Sequence, residues 1–224
     1  MTTTESTATG AERPGARLTA KGAATRARIV QAAAELIFER GIAHTGIEDV
    51  QRAAAVSASQ MYHYFADKQA LVHAVVEQQA RTVLDKQQPL LGHLDSLAAL
   101  RAWRDMLVAV QHKRGCGGCP IGSLSSELAE ADATDRQHLA DSFARWQGHI
   151  RDGLARMRDR GALRPDADPN ALAMAMLAAV QGGLLLTQAH RDTGPLETAM
   201  DAMIDHIATF APDQRPATPG QPPA

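Results

Sequence analysis

A chain of 224 residues is long enough for one large domain or two small ones, and its 45% hydrophobic content suits a packed globular core. Aromatic residues reach only 4% while Ala, Leu and Met are plentiful, which argues against a β-sheet core and for an all-α chain. The net charge of −2 does not by itself point to a polyanionic partner, and the most apolar run, Ala171–Leu186, is broken by Gln181 and too short to be read as a membrane span.

Residues 1–18 are dominated by Thr, Ser, Gly and Pro and read as a disordered N-terminal arm. Arg13, Arg17 and Lys21 can reach phosphates from such an arm, although a solvated tail is the plainer reading. The first twenty residues hold no apolar signal-peptide core, so a cytoplasmic location is expected. A first helix is predicted over about 22–40, with Ile29, Ala33, Leu36 and Ile37 as its buried stripe and Gly41 as its stop. Thr45 is placed as the N-cap of a second helix, whose Ile47, Val50, Ala53 and Ala54 fall on one face. Ala55 and Val56 carry a tight turn, and Ser57 caps a short third helix over about 58–64 with Met61 turned inward. Asp67 caps a fourth helix that runs to about Gln88, with Leu71, Val72, Val75, Val76 and Val83 on one side and Pro89 at its end.

Two short helices joined by a tight turn can lay the second of them in the DNA major groove. Ser59, Gln60 and His63 are left facing outward there, and Ser and Gln both donate and accept, so they can read base edges. Thr45, Tyr62, His63 and Tyr64 suit phosphate oxygens, with Ser57 at the start of the same helix. Lys68, beside the free amides of the fourth helix, makes an anion site. From Arg17 to Lys68 there are seven Lys or Arg against five Asp or Glu, a modest local excess of +2.

Residues 22–82 resemble the DNA-binding domain of TetR-family transcriptional regulators. The matching pieces are TRARIVQAAAELIFERG, T-x-I-x-D-V, AAVSASQMYHYF and DKQALVHAV, continuous over some sixty residues. The resemblance implies a DNA-binding domain over 19–82, with the helix-turn-helix at about 45–64, and a double-stranded DNA operator as partner. Two positions depart from the family. Ala55 stands in the turn where Gly is usual, so it must take a backbone state that is less comfortable without Gly. Ser59 stands where Gly is frequent, which adds a side chain at the groove surface.

A second domain is expected over 83–211, followed by a Pro-rich disordered tail, 212–224. Its helices are predicted at about 95–113, 121–130, 133–160, 169–190 and 195–210, with the glycine-rich turn GCGGCPIG at 115–122. Leu97, Leu100, Trp103, Leu107 and Val110 keep helical register in the first of these, and Leu139, Phe143, Trp146, Ile150, Leu154 and Met157 in the third. The stretch 169–190 is apolar nearly all round and must be covered on every side. A second copy can do this, with Gly182 and Gly183 allowing close approach, so a homodimer built on the last two helices is expected. A central core helix of a monomer is the plainer alternative.

GCPIGSLSSEL and QGGLLLTQAHRDTGPLE are similar to the ligand-binding domain of the LmrA/YxaF-like branch of that family. This implies a small-molecule effector, commonly apolar or aromatic, that favours a spacing of the reading helices unfit for the operator. Trp103, Met106, Val110, Phe143, Trp146 and His149 are the candidate ligand contacts, although Met and Trp at helical spacing also serve as plain core. Cys116 and Cys119 have CxxC spacing with His112 one helical turn before them. They allow a redox-responsive regulator as an alternative, but a structural zinc site wants four ligands and only three cluster. A reduced, packed pair is the plainer reading. No catalytic motif, cofactor motif or metal site emerges, and no membrane association is expected. The sequence thus points to a homodimeric repressor released from a palindromic operator by a small ligand; the remaining alternative is a helical small-molecule-binding protein without DNA binding.

Overall fold

The computed structural model describes residues 19–129 and 133–212. The expected N-terminal arm, with Arg13 and Arg17, and the tail from 213 onward lie outside the described residues. Every regular element among the described residues is helical: α1 (Ala20–Arg40), α2 (Ile47–Ala54), α3 (Ala58–Tyr64), α4 (Lys68–Leu91), α5 (Leu97–Lys113), α6 (Ser125–Ala129), α7 (Ala133–Asp159), α8 (Pro169–His190) and α9 (Gly194–Ala208). A single 3₁₀ turn, Gly122–Leu124, leads into α6. The fold is the all-α arrangement read from the sequence.

The helix starts follow from short polar side chains that accept free amides. Thr19 Oγ1 accepts from Gly22 N at 3.2 Å, so α1 begins about two residues before the predicted start. Ser57 and Gln60 form a reciprocal cap on α3: Ser57 Oγ accepts from Gln60 N at 3.2 Å, and Gln60 Oε1 accepts from Ser57 N at 3.0 Å. Asp67 Oδ1 accepts from Ala70 N at 2.7 Å and starts α4. For α2 the expectation needs correction. Gly46 is the N-cap, its N–H held by Asp49 Oδ2 at 3.2 Å. Thr45 instead turns back under the end of α1, where its hydroxyl donates to the Gly41 carbonyl at 2.8 Å. Val50 and Ala54 are the buried residues of α2, while Ala53 faces solvent.

Pro89 does not end α4 as predicted, since the helix continues to Leu91. A proline there removes its own ladder bond and crowds the carbonyl four residues earlier, a local cost so close to the helix end that packing can offset it. Leu91, fully buried, and Leu90, packed against the core, hold that turn in place. The two units share one continuous core, and α4 carries it from one to the other. Trp103 Nε1 donates to Gln87 Oε1 at 2.8 Å, and Gln87 Nε2 donates to the Val83 carbonyl at 3.0 Å, so both buried polar groups are satisfied where α5 meets α4. Helix α7 lies directly on the turn between α4 and α5: a Cβ at Gly153 would collide with the Leu94 carbonyl.

Helix α8 has two faces. Its inner face, including Leu172, Met176, Val180 and Leu184, is buried, and Gly183 comes so close to α9 that a Cβ there would be 2.8 Å from Leu196 Cα. Its outer face is exposed at positions 171, 174, 175, 178, 182, 185, 186 and 189, all Ala, Met, Gly or Leu. By length and composition α8 could cross a membrane, but the inner half of it is packed inside the protein, with 44% of its apolar window buried.

Candidate nucleic-acid interface and ligand cavity

The turn before α3 is built on strain. Ala55 adopts φ 50°, ψ 52°, the left-handed region that the sequence reading anticipated for this position. Its setting is fixed from three sides. Ala55 N–H donates to Arg52 O at 3.2 Å, Val56 N–H to Gln51 O at 3.1 Å, and Arg28 Nε from α1 to the Ala54 carbonyl at 2.9 Å. At the far end of α3, the Arg26 guanidinium lies 5.1 Å from the centre of the Phe65 ring. Asp49 is held below the usual carboxylate range, first by the Gly46 amide and then by Arg52.

On this frame Ser57, Ser59, Gln60, Tyr62 and His63 are exposed, and Met61 is fully buried beneath them. Tyr62 is 57% exposed, unusually high for an aromatic side chain and suited to a phosphate contact. Tyr64 and Lys68 are half-buried, with the Tyr64 ring edge-on to His63 at 4.9 Å. Thr45 stands apart from this group because it is 3% exposed and its hydroxyl is already committed to Gly41. Gln60 is exposed, but its Oε1 is spent on the cap.

In the second unit the six candidate ligand residues do not share one space. Phe143 lines a cavity of about 470 Å³ between α7, α8 and the 119–125 turn, with Met174, Leu177, Gln181, Gly182 and Leu185. Val110 and Trp146 line a smaller one, about 70 Å³, together with Gln87, Leu107 and Leu184. Trp103 is fully buried core, and half-buried Met106 and His149 line neither space. The larger volume suits a small organic ligand. What the sequence reading missed is the share of α8 in it. The signal was present in QGGLLLTQ, which supplies Gln181, Gly182, Leu185 and Gln188.

Cys119 borders both cavities. Its loop is pinned by Gln111, which accepts from Gly118 N at 3.0 Å and donates to Gly118 O at 3.3 Å. Both thiols are free and buried, and burial pushes the Cys119 thiol up, against the pull of the Gly122 and Ile121 amides. His112 is exposed, with Nε2 3.4 Å from Thr193 Oγ1. Among the described residues no three His, Cys, Asp or Glu side chains gather as a metal site.

A charged hydrogen-bonded contact joins the segment after the cavity turn to the DNA-facing unit, beside the packing of Pro120 and Leu124 near Ile37 and Phe38 of α1. Glu127 of α6 places Oε2 2.7 Å from Ile42 N and 3.2 Å from Ala43 N, in the turn between α1 and α2. Ser123 and Ser125, just before it, line the larger cavity.

Comparison with known proteins bears on both units. Residues 29–75 match the family model for bacterial regulatory proteins of the tetR family, and residues 96–203 match the tetracyclin repressor-like C-terminal domain. The chain is 30% identical over 185 residues to the uncharacterized HTH-type transcriptional regulator in the lacX 3′ region of Lactococcus lactis subsp. lactis, covering 80% of this chain and 91% of that protein. The chain belongs to the TetR family of transcriptional regulators. It is a helix-turn-helix, DNA-binding regulator by family, and its relatives are transcriptional regulators rather than enzymes. The transcriptional regulator AcuR of Cereibacter sphaeroides is 29% identical over 186 residues, covering 81% of this chain and 84% of that one. Among solved structures, a regulatory protein TetR from Rhodobacter sphaeroides superposes with a TM-score of 0.71 at 25% identity, covering 81% of this chain and 98% of that chain.

Proposed function

We propose that this TetR-family protein is a homodimeric repressor that occupies a palindromic operator and is released by a small, mostly apolar or aromatic ligand in its second domain. One observation carries the reading. The exposed polar surface of α3 and the uncharged cavity beside α8 are joined through the 3₁₀ turn, α6 and the Glu127 carboxylate. A ligand that shifts the cavity turn would then shift the α1–α2 turn and the setting of α3. The requirement is a different ligand affinity for the two settings.

In this reading Ser59, Gln60 and His63 face base edges, while Ser57, Tyr62, Tyr64 and Lys68 face phosphates. Thr45 is left out as a direct side-chain contact because it is buried. The exposed apolar face of α8 supports two-fold pairing, which would present two copies of α3 to successive major grooves. A bacterial-type regulator of this kind works in the cytoplasm. The GCPIG turn, resembling that of the LmrA/YxaF-like branch, places Cys119 and Gly122 on the wall of the larger cavity in this reading. The redox alternative through Cys116 and Cys119 gains nothing from the geometry, because both thiols are buried.

The test is fluorescence anisotropy with labelled duplexes from the region flanking its own coding sequence. Tight, salt-sensitive binding to one duplex is expected, against weak binding to scrambled DNA. A protein that ignores every flanking duplex would instead be the ligand-binding protein without DNA function.

A further inference from the structure

We infer that Arg28 is a positioning residue of the reading helix: from α1 it holds the peptide that precedes the left-handed Ala55, and with Arg26 at the opposite end of α3 it fixes the angle at which α3 meets DNA. This rests on the operator reading above and goes beyond it in naming groups that shape sequence recognition without reading a base.

Three observations converge. First, the turn has no glycine to ease it. Ala55 sits at φ 50°, ψ 52°, a setting that costs an alanine free energy a glycine would not lose. Second, the peptide between Ala54 and Ala55 is held at both ends. Its oxygen accepts from Arg28 Nε at 2.9 Å, and its N–H donates to the Arg52 carbonyl at 3.2 Å. The tilt of that rigid peptide sets φ of Ala55, and through it the direction in which the chain enters α3. The guanidinium also brings positive charge to the C-terminal end of α2, where carbonyls lack helical partners. Third, the grip is two-ended. Arg26 and Arg28 leave α1 about 200° apart around its axis, so they reach to different sides. The Arg26 guanidinium lies 5.1 Å from the centre of the Phe65 ring, and Phe65 is the buried C-cap of α3. One helix outside the reading pair thus ties down both the entry to α3 and its exit. The Arg28 side chain is itself exposed, so a direct phosphate contact is the rival role. Its atoms separate the two. The bond is made by Nε, the fourth side-chain atom. Glutamine carries an amide nitrogen at that position without the charge, whereas lysine puts a methylene there and keeps the charge one atom further out.

The test is fluorescence anisotropy of each variant with operator and scrambled duplexes, joined to amide hydrogen exchange without DNA. Arg28→Lys should lose about tenfold in the ratio of operator to scrambled affinity, roughly threefold for each of two reading helices, and its Ala55 amide should exchange about threefold faster. Arg28→Gln should keep that ratio and that exchange rate within about twofold of wild type. A phosphate contact would reverse the order: Arg28→Lys would keep binding, while Arg28→Gln would weaken both duplexes alike and lower the salt slope by about one for each protomer. Arg26→Gln should lower the ratio by about threefold. Adding Ala55→Gly to Arg28→Lys removes the strained alanine and should return the ratio to within about threefold of wild type. Should Arg28→Lys alone fail to fold, recovery of helical circular dichroism and of the ratio in that double variant decides the point. The inference is overturned if Arg28→Lys keeps the ratio, if Arg28→Gln loses more of it than Arg28→Lys, if Arg26→Gln leaves it unchanged, or if Ala55→Gly brings no recovery. Should wild type ignore every duplex, the operator reading fails and exchange alone decides. A faster Ala55 amide in Arg28→Lys but not in Arg28→Gln then upholds the grip on the turn, and equal rates in all three proteins overturn it.

Discussion

Replacing Glu127 with Ala should uncouple the two units while leaving both folded. The carboxylate holds two backbone amides of the α1–α2 turn, at 2.7 and 3.2 Å, from 85 and 84 residues away in the chain. A hydrogen bond to a charged group contributes about 1.5–3 kcal/mol when well sheltered. Glu127 is only half-buried and the freed amides can turn to water, so the pair together is taken as about 1–2 kcal/mol. For a protein of this size that corresponds to a fall in Tm of roughly 2–8 °C. The more specific readout is hydrogen exchange. With the opening of the turn made easier by about 1.4 kcal/mol, the Ile42 and Ala43 amides should exchange about tenfold faster, while the core amides of α8 should not change. Glu127→Gln keeps one acceptor oxygen without the charge and should fall between. In operator binding, a cavity ligand that lowers wild-type affinity should lower that of Glu127→Ala by less than about twofold, with ligand affinity itself retained. Unchanged exchange at Ile42 and Ala43, or an undiminished ligand effect on operator binding, would refute the coupling route.

Other consequences are directly measurable. Ala55→Gly should leave Tm unchanged or raise it, by at most about 6 °C. Relief of a left-handed alanine gives about 1–2 kcal/mol, and the freer unfolded chain takes back about 0.4–1 kcal/mol; a lower Tm would show that Ala55 is not left-handed. Tyr62→Ala should weaken binding to operator and scrambled DNA alike. Gln60→Ala should change base preference and also cost about 1 kcal/mol of stability through the α3 cap, visible as a Tm shift that Tyr62→Ala does not share. Cys119 should alkylate more slowly than an exposed thiol. Burial raises its pKa, so its rate against pH should lie on the alkaline side of a free cysteine control; a fast reaction at neutral pH would revive the redox alternative.

The fold was readable in the sequence wherever periodicity and caps agreed. Ser57 and Asp67 start their helices as read, and the inward Met61 and outward Ser59, Gln60 and His63 follow from one short period. The local errors have one source: a side chain's partner in space is not written in its neighbours. Thr45 has the chemistry of a cap and of a phosphate ligand, yet the end of α1 is nearer and takes its hydroxyl. Pro89 has the chemistry of a stop, yet buried Leu91 carries the helix past it. Among the ligand candidates, Trp103 and Phe143 look alike on a helical wheel. Only the packing of Gln87 against one and the empty space beside the other separates them. The Glu127 contact was invisible for the same reason, since the turn it holds lies most of a domain away in sequence.

The most direct test of the whole account is the stoichiometry of the protein–DNA complex. Sedimentation of the purified protein with a labelled duplex carrying its operator should give two protomers per site, or a multiple of two, dissociating as salt is raised. A complex with a single protomer, or no complex with any duplex drawn from its own genomic surroundings, would contradict it.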